Sequence, residues 1–230
     1  MKKIGLIGGM SWESSKVYYE IINEKVRDLS GGFHSAKCIL ESVDFSEIER
    51  LQHNNDWKSL NKLMVDAAKN LENAKADFII LCTNTMHLCS DDIIKNIKIP
   101  FLHIVTETGK KIKKAHINKV LLLGTKFTME SDFFKKILFD DFGIEVIIPN
   151  ATDRDIVHTI IYNELVHGKI KETSKNDYIK IINKAVKKGA QGVILGCTEI
   201  PLLIKNEDVN IPVFDTTRIH AESSVEYALK

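Results

Sequence analysis

The chain contains two copies of one strand-and-loop pattern, and this duplication constrains the fold more than any other feature. The apolar run 78–81 is followed by Cys82-Thr83-Asn84-Thr85, and the apolar run 193–195 is followed by Gly196-Cys197-Thr198-Glu199. Thr83 and Cys197 occupy equivalent places, 114 residues apart (197 minus 83). Segments 3–8 and 99–101 resemble 119–124 and 211–213, at spacings of 116 (119 minus 3) and 112 (211 minus 99) residues. The sequence therefore predicts two copies of one αβ unit.

The composition excludes several classes of protein. The 230 residues are 44% hydrophobic and 27% charged, which is ordinary for a globular protein. The net charge of +1 comes from 32 basic and 31 acidic residues, so nothing indicates binding to nucleic acid or to an anionic membrane. No apolar run approaches the roughly 18 residues that a membrane-spanning helix needs. The first residues predict a strand and not a signal peptide.

The cysteines and glycines give no sign of a metal or nucleotide cofactor. The four cysteines form no C-x-x-C pair and show no zinc-site spacing. Without an export signal, they are predicted to be reduced thiols in the cytoplasm. The pair Gly8-Gly9 follows the first predicted strand, but neither a G-x-G-x-x-G nor a G-x-x-x-x-G-K-[S/T] motif is present. The sequence therefore predicts no cofactor.

Strands and helices alternate along the chain, which predicts an α/β fold with a parallel sheet in each half. Strands are predicted at 4–7, 36–40, 78–82, 101–105, 119–123, 145–148, 192–195 and 213–214. The first domain is predicted to span 1–105 plus 215–230, with the last helix returning to the first half, and the second to span 106–214. Two such halves predict a cleft between them, and domain interfaces are favoured ligand sites.

Polar residues follow several of the predicted strands, where parallel sheets bind ligands. Thr83, Thr125, Cys197 and Asp215 all fall there. Pro201 marks the start of a helix just after Cys197, so unpaired backbone N–H groups are expected beside the thiol. Such N–H groups favour anions and predict a lowered pKa for Cys197. The alternative is that Cys197 is a small buried apolar residue, as most free cysteines are.

Two matched loops facing one cleft would place a group on each side of one substrate atom. This arrangement suits inversion at a carbon centre, since one group removes the α-proton and the other returns a proton to the opposite face. Without a cofactor, the carbanion needs hydrogen-bond donors to its carboxylate. Asn84, Thr85 and Thr198 are candidate donors. A desolvated thiolate is a suitable base.

Four motifs resemble the aspartate/glutamate racemase superfamily. They are the segments 8–14 (Gly-Gly-Met-Ser-Trp-Glu-Ser), 82–87 (Cys-Thr-Asn-Thr-Met-His), 123–125 (Leu-Gly-Thr) and 196–199 (Gly-Cys-Thr-Glu). The chain is most similar to the branch of amino-acid racemases that use no pyridoxal phosphate and act on L-aspartate and L-glutamate. The resemblance covers essentially the whole chain. It implies two αβα subdomains related by pseudo-twofold symmetry, an active site between them, and often a homodimer. It also implies no metal and no pyridoxal phosphate.

The resemblance assigns roles to residues of both halves. Thr83 and Cys197 are the catalytic pair. The expected substrate contacts are Met10, Gln52, Asn84, Thr85, Thr125, Thr128, Thr198 and Glu199. Without a ligand, Thr83 could be a helix-capping hydroxyl and Glu199 a helix-start carboxylate. The distal carboxylate of the substrate has several candidate partners, namely Lys126, His167, His87 and His103, and the alternatives are a solvated lysine and structural histidines.

The first loop departs from the wider superfamily, where Cys-Asn-Thr is usual. Thr83 occupies the place of that cysteine, and the branch named above shares this threonine. Cys82 lies one residue earlier, and neighbouring side chains on a strand point to opposite faces, so Cys82 is not expected to replace the missing thiol. A hydroxyl is a far poorer base than a thiolate, which puts symmetric two-thiol racemisation in doubt.

The function predicted from these features is cofactor-independent racemisation of an acidic amino acid, either aspartate or glutamate. Two alternatives remain open. Related members of the superfamily isomerise maleate or decarboxylate arylmalonates. With Thr83 in place of a thiol, the fold could also bind an acidic amino acid without turnover. The predicted partners are a small-molecule substrate and a second copy of the chain.

Overall fold

Eight short strands form two parallel sheets in the computed structural model, which describes residues 1–230. The strands are β1 (Ile4–Gly8), β2 (Cys38–Ser42), β3 (Phe78–Leu81), β4 (Phe101–Leu102), β5 (Lys119–Gly124), β6 (Glu145–Ile147), β7 (Gly192–Gly196) and β8 (Val213–Asp215). One sheet has the order β2-β1-β3-β4 and the other the order β6-β5-β7-β8. All neighbours are parallel. The predicted α/β fold with two parallel sheets is confirmed.

The register of the strands follows the spacing of the sequence repeat. Ile7 on β1 lies opposite Leu81 on β3, while Leu123 on β5 lies opposite Leu195 on β7. Leu123 follows Ile7 by 116 residues and Leu195 follows Leu81 by 114 residues, which are two of the spacings found in the sequence repeat. The two sheets are therefore copies in register as well as in strand order, and β3 and β7 are equivalent strands.

Helices connect the strands in both sheets. The α-helices are α1 (Trp12–Ser30), α2 (Phe45–His53), α3 (Trp57–Asn73), α4 (Ser90–Asn96), α5 (Ile104–Lys114), α6 (Lys126–Glu130), α7 (Asp132–Phe142), α8 (Ala151–Asn163), α9 (Glu172–Val186), α10 (Ile200–Leu203) and α11 (Thr216–Ala228). Three 3-10 helices span Thr85–Cys89, Leu165–His167 and Asn206–Asp208. Side chains cap several helix starts, as at α1, where the Ser11 side chain accepts a hydrogen bond from the Ser14 N–H. No helix is long and apolar enough to cross a membrane.

The chain divides into two compact units. The first comprises Met1–Ile104 and Thr217–Lys230, and the second comprises Val105–Thr216. The C-terminal helix α11 thus belongs almost entirely to the first unit, where the Lys2 N–H donates a hydrogen bond to the Ala228 carbonyl at 2.8 Å. The division into subdomains 1–105 plus 215–230 and 106–214 stays a prediction.

Alternate residues of β3 face two separate apolar cores in the first unit. Ile79 and Leu81 belong to the cluster under α2 and α3, whereas Phe78, Ile80 and Cys82 belong to the cluster under α1 and α11. The second unit has a core cluster formed by β5, β7 and the helices α8 and α9. Burial of both faces of a strand explains why the strands are continuous apolar runs.

Two predicted strand boundaries are wrong. The run 101–105 was expected to be one strand, but β4 ends at Leu102 and α5 begins at Ile104. A short apolar run cannot be divided by periodicity when a buried strand leads almost directly into a buried helix. The second strand was expected to begin at position 36, but it begins at Cys38, where its pairing with Ile4 starts.

Candidate active site

Thr83 lies directly after β3, in the loop 82–85, which we call the Thr83 loop. The Cys82 N–H donates a hydrogen bond to the Ile7 carbonyl at 2.9 Å, so the loop leaves the sheet beside β1. Thr83 is partly exposed and Asn84 is buried. No side chain caps the 3-10 helix that begins at Thr85. The loop therefore places Thr83, Asn84 and Thr85 together at the carboxyl edge of the first sheet, as predicted.

Cys82 lies on the other side of the strand. Its side chain is fully buried in the apolar cluster that contains Tyr18, Ile22 and Val225. This burial raises the pKa of the Cys82 thiol. A protonated thiol enclosed by apolar side chains cannot replace the thiol that Thr83 lacks.

Three histidines form a cluster next to the Thr83 loop, namely the buried His87 and His220 and the half-buried His103. The His87 ring packs against His103 with centroids 4.6 Å apart and against His220 with centroids 5.7 Å apart. Burial is the largest cause that lowers the pKa of all three side chains, to about 4 for His103 and about 3 for His220. We therefore describe these histidines as neutral imidazoles at neutral pH.

Hydrogen bonds occupy both ring nitrogens of His87. Its Nδ1–H donates to the Thr83 carbonyl at 2.7 Å, and its Nε2 accepts from the Ile104 N–H at 3.2 Å. These contacts leave no ring nitrogen of His87 for the distal carboxylate of a substrate. They also connect the Thr83 loop to the first turn of α5.

Gln52 and Met10 are related to Met86, the residue that follows the Thr83 loop. The Gln52 side-chain amide donates to the sulfur of Met86 at 3.1 Å, one residue beyond Thr85. Met10 is only 6% exposed and belongs to the same apolar cluster as Met86. Gly9, just before Met10, has a φ of 90° and no room for a side chain against the Val43 backbone. Gln52 therefore contacts the residue after the loop, and Met10 shares the core cluster of that residue.

Cys197 follows β7 in the loop 197–199, which we call the Cys197 loop. The thiol donates a hydrogen bond to Oε2 of Glu199 at 2.9 Å, and the Thr198 hydroxyl donates to the same oxygen at 2.7 Å. The Glu199 carboxylate therefore accepts two hydrogen bonds from its own loop. Cys197 also packs against the apolar core of the second unit.

The prediction of a lowered pKa for Cys197 is wrong. Burial and then the Glu199 carboxylate raise the pKa of the thiol well above its usual value, because both disfavour a thiolate. The backbone N–H groups of Thr198 and Glu199 act in the expected direction, but they are the smaller effect. The helix that follows, α10, has only four residues, so little helix dipole reaches the thiol. The resting thiol is protonated.

Thr128 lies beside Gly196, the last residue of β7 before the Cys197 loop. Its methyl group lies 3.2 Å from the position that a Cβ on Gly196 would occupy. Gly196 lies opposite Gly124 on β5, so Thr125 and Cys197 follow neighbouring strand ends. Thr125 caps α6 by accepting the Thr128 N–H at 3.3 Å. Thr128 is fully buried beside Gly124 and Gly196, while Thr125 is partly exposed.

Two candidates for the distal carboxylate have different surroundings. Lys126 forms an ion pair with Asp155, and its backbone N–H donates to Nδ1 of His158 at 3.3 Å. His167 ends a 3-10 helix and is exposed.

Sequence reasoning missed Asp155 and His158, because residues about thirty positions away carry no local signal for their contact with Lys126. It likewise missed His220. No three His, Cys, Asp or Glu side chains are grouped as metal ligands.

Comparison with known proteins identifies the family. The sequence profile of the Asp/Glu/Hydantoin racemase family matches residues 7–224. The chain belongs to this family. It is 25% identical over 177 residues to the broad-specificity amino-acid racemase RacX of Bacillus subtilis (strain 168), with 74% of this chain and 73% of that protein covered.

Solved structures of this racemase family share the fold over the full chain. A proposed Asp/Glu racemase from Yersinia pestis is 51% identical, with a TM-score of 0.96, and each chain is covered completely. An aspartate racemase homologue from Pyrococcus horikoshii OT3 is 38% identical, with a TM-score of 0.90 and again complete coverage of both chains. The predicted superfamily is confirmed.

Proposed function

We propose that the protein is a cofactor-independent racemase of an acidic amino acid, aspartate or glutamate. The observation that carries this proposal is the equivalence of the two loops. Thr83 and Cys197 follow strands β3 and β7, which occupy the same place in two sheets of identical order. In the proposal, the two loops face one substrate from opposite sides, so that one side removes the α-proton and the other returns a proton.

Cys197 removes the α-proton of the L-enantiomer after losing its own proton to Glu199. The thiol already donates to Glu199 Oε2 at 2.9 Å, so this transfer needs little movement. The sulfur then carries the negative charge and takes the α-proton, and the carbon keeps the electron pair as a carbanion. A substrate ammonium near the loop favours this change, because an opposite charge stabilises the thiolate.

Thr83 supplies the proton to the other face of the carbanion. Its hydroxyl gives up a proton, which forms the new C–H bond, and water returns a proton to the alkoxide. Glu199 then releases to the resulting hydroxide the proton that it took from Cys197, so that both loops regain their starting state. A hydroxyl of such high pKa donates this proton to a strongly basic carbanion more readily than it removes one from carbon. The partial exposure of Thr83 is compatible with exchange against solvent.

The remaining polar residues bind the substrate and stabilise the charge that develops on its α-carboxylate. We assign this role to Asn84, Thr85 and Thr198, with Thr125 at the neighbouring strand end. Glu199 also contacts the ammonium. Met10, Gln52 and Thr128 are the other substrate contacts in the proposal, although Met10 and Thr128 are buried without a substrate.

The specificity for the substrate side chain depends on which residue of the protein binds the distal carboxylate. Lys126, His167 and His103 are the remaining candidates, and the ion pair of Lys126 with Asp155 must open before the lysine can bind a substrate. The relative in Bacillus subtilis is a broad-specificity racemase, which makes a wide substrate panel necessary. A homodimer and a cytoplasmic location belong to the same proposal.

The decisive experiment is α-proton exchange in deuterated water. L- and D-enantiomers of aspartate, glutamate and a set of neutral and basic amino acids are followed by proton NMR and chiral chromatography. Exchange and inversion of an acidic amino acid by protein dialysed against a chelator and a carbonyl reagent support the proposal. Activity on neutral residues alone, or a loss that added metal or pyridoxal phosphate restores, contradicts it. Maleate and an arylmalonate are included to detect the related isomerase and decarboxylase reactions.

A binding protein without turnover is the second candidate. The protonated state of Cys197 and the hydroxyl at Thr83 favour it, since neither side of the site then holds a strong base at rest. In that case aspartate or glutamate raises the melting temperature of the protein while the α-proton does not exchange.

A further inference from the structure

The His87 ring joins the Thr83 loop to the end of the first unit. The carbonyl of Thr83 can only accept a hydrogen bond, and the backbone N–H of Ile104 can only donate one. The contacts at 2.7 Å and 3.2 Å therefore require a neutral ring with its proton on Nδ1. Ile104 is the last residue of the first unit before the chain continues into the second.

The His87 ring is enclosed by neighbouring rings on more than one side. The side chain is 1% exposed and packs against Phe101 with ring centroids 5.6 Å apart. On another side it packs against His220, whose own Nε2–H donates to the Leu102 carbonyl at 2.9 Å while its Nδ1 lies 3.0 Å from the Tyr18 hydroxyl. Close packing of this kind fixes side-chain rotamers.

We propose that His87 is a positioning residue, which holds the Thr83 carbonyl so that the Thr83 hydroxyl meets the substrate in the geometry for proton transfer. This inference rests on the proposed function, in which Thr83 serves one face of the substrate. The bonded carbonyl belongs to the same residue as the hydroxyl, so a shift of the loop moves the reacting group directly. A misplacement of about 1 Å can lower a rate by about a hundredfold.

Two substitutions separate the hydrogen bond from the packing. His87→Asn retains an amide N–H close to the place of Nδ1, so it can still donate to Thr83. His87→Phe retains an aromatic ring but removes both hydrogen bonds. We expect His87→Phe to slow inversion of the L-enantiomer by roughly tenfold or more, while α-proton exchange with retention, which needs only the Cys197 side, falls by less than about threefold. His87→Asn should recover most of the inversion rate.

Cys89→Ala is the matched control. Cys89 is buried in the same 3-10 helix, and its replacement removes packing without touching the hydrogen bond to Thr83. We expect it to lower thermal stability and leave the ratio of inversion to exchange unchanged. The inference is overturned if His87→Phe lowers exchange and inversion by the same factor, or if His87→Asn restores nothing.

A measurement without substrate distinguishes this inference from the proposed function. Nitrogen-15 NMR of histidine-labelled protein should show His87 as the neutral Nδ1–H tautomer from pH 7.5 down to pH 5.5. A proton on Nε2, or a charged ring in this range, overturns the role of His87 even in an active enzyme. A wild-type protein that exchanges no amino acid overturns the proposed function instead, even when the tautomer is as expected.

Discussion

Mild acid should destabilise the first unit because the fold disfavours the charged form of three clustered histidines there. His87, His103 and His220 have folded-state pKa values below the usual 6.5, so the unfolded chain binds more protons between the two values. The stabilisation is therefore complete above pH 6.5 and is lost as the pH falls towards the folded values, about 4 for His103 and about 3 for His220. The charge of Asp91 opposes this effect at His103 but does not outweigh burial.

The size of the effect follows from the unfolded pKa. From pH 7.5 to pH 5.5, a histidine that stays neutral in the folded state lowers the free energy of unfolding by about 1.4 kcal/mol. Three such side chains give about 4 kcal/mol, a large part of the roughly 5–15 kcal/mol that stabilises a typical domain. The lowered carboxyl pKa of Asp56 affects stability only below this range, since its usual value is 3.8.

Tryptophan fluorescence during urea unfolding measures this effect selectively. Both tryptophans, Trp12 and Trp57, lie in the first unit, as do all three histidines. The variant His103→Phe removes one titrating ring from the cluster. It should reduce the pH dependence of the unfolding free energy by about a third, which corresponds to about one proton in the slope of that free energy against pH. Equal unfolding free energies at pH 7.5 and 5.5, or an unchanged slope in the variant, would refute the reasoning.

Three further predictions concern the catalytic loops. Cys197→Ser should stay folded and retain less than about a tenth of the wild-type kcat, at least about 1.4 kcal/mol in the barrier, whereas Cys82→Ser should keep nearly full activity; steady-state kinetics with circular dichroism checks both, and an active Cys197→Ser excludes the thiol as base. Glu199→Gln removes the carboxylate charge that helps to raise the pKa of the Cys197 thiol. The pH midpoint for alkylation of Cys197 by iodoacetamide should therefore fall, and kcat should fall as well. An unchanged midpoint would contradict the effect of Glu199 on the thiol pKa. In deuterated water the L-enantiomer should exchange its α-proton with retention faster than it inverts, and the D-enantiomer should exchange without inversion only slowly, because Thr83 removes protons poorly; equal exchange-to-inversion ratios from both enantiomers contradict this asymmetry.

The duplicated architecture and the position of both loops were determined by the sequence alone. Apolar runs, their spacing and the polar residues that follow them are local features, and they predicted two copies of one αβ unit with a parallel sheet in each. The orientation of Cys82 was also predictable, because neighbouring residues on a strand face opposite sides. The family followed from short motifs at these same strand ends.

Only the tertiary structure decided the chemistry at those strand ends. The protonated state of Cys197 depends on burial against core residues and on the hydrogen bond between the thiol and the Glu199 side chain. Neither can be predicted from the sequence of the loop. The partner of Lys126 lies on α8, and the ring of His87 meets Ile104 and His220 from two other parts of the chain. Periodicity and turn signals report a residue's near neighbours, whereas desolvation and hydrogen bonding act between groups that only folding brings together.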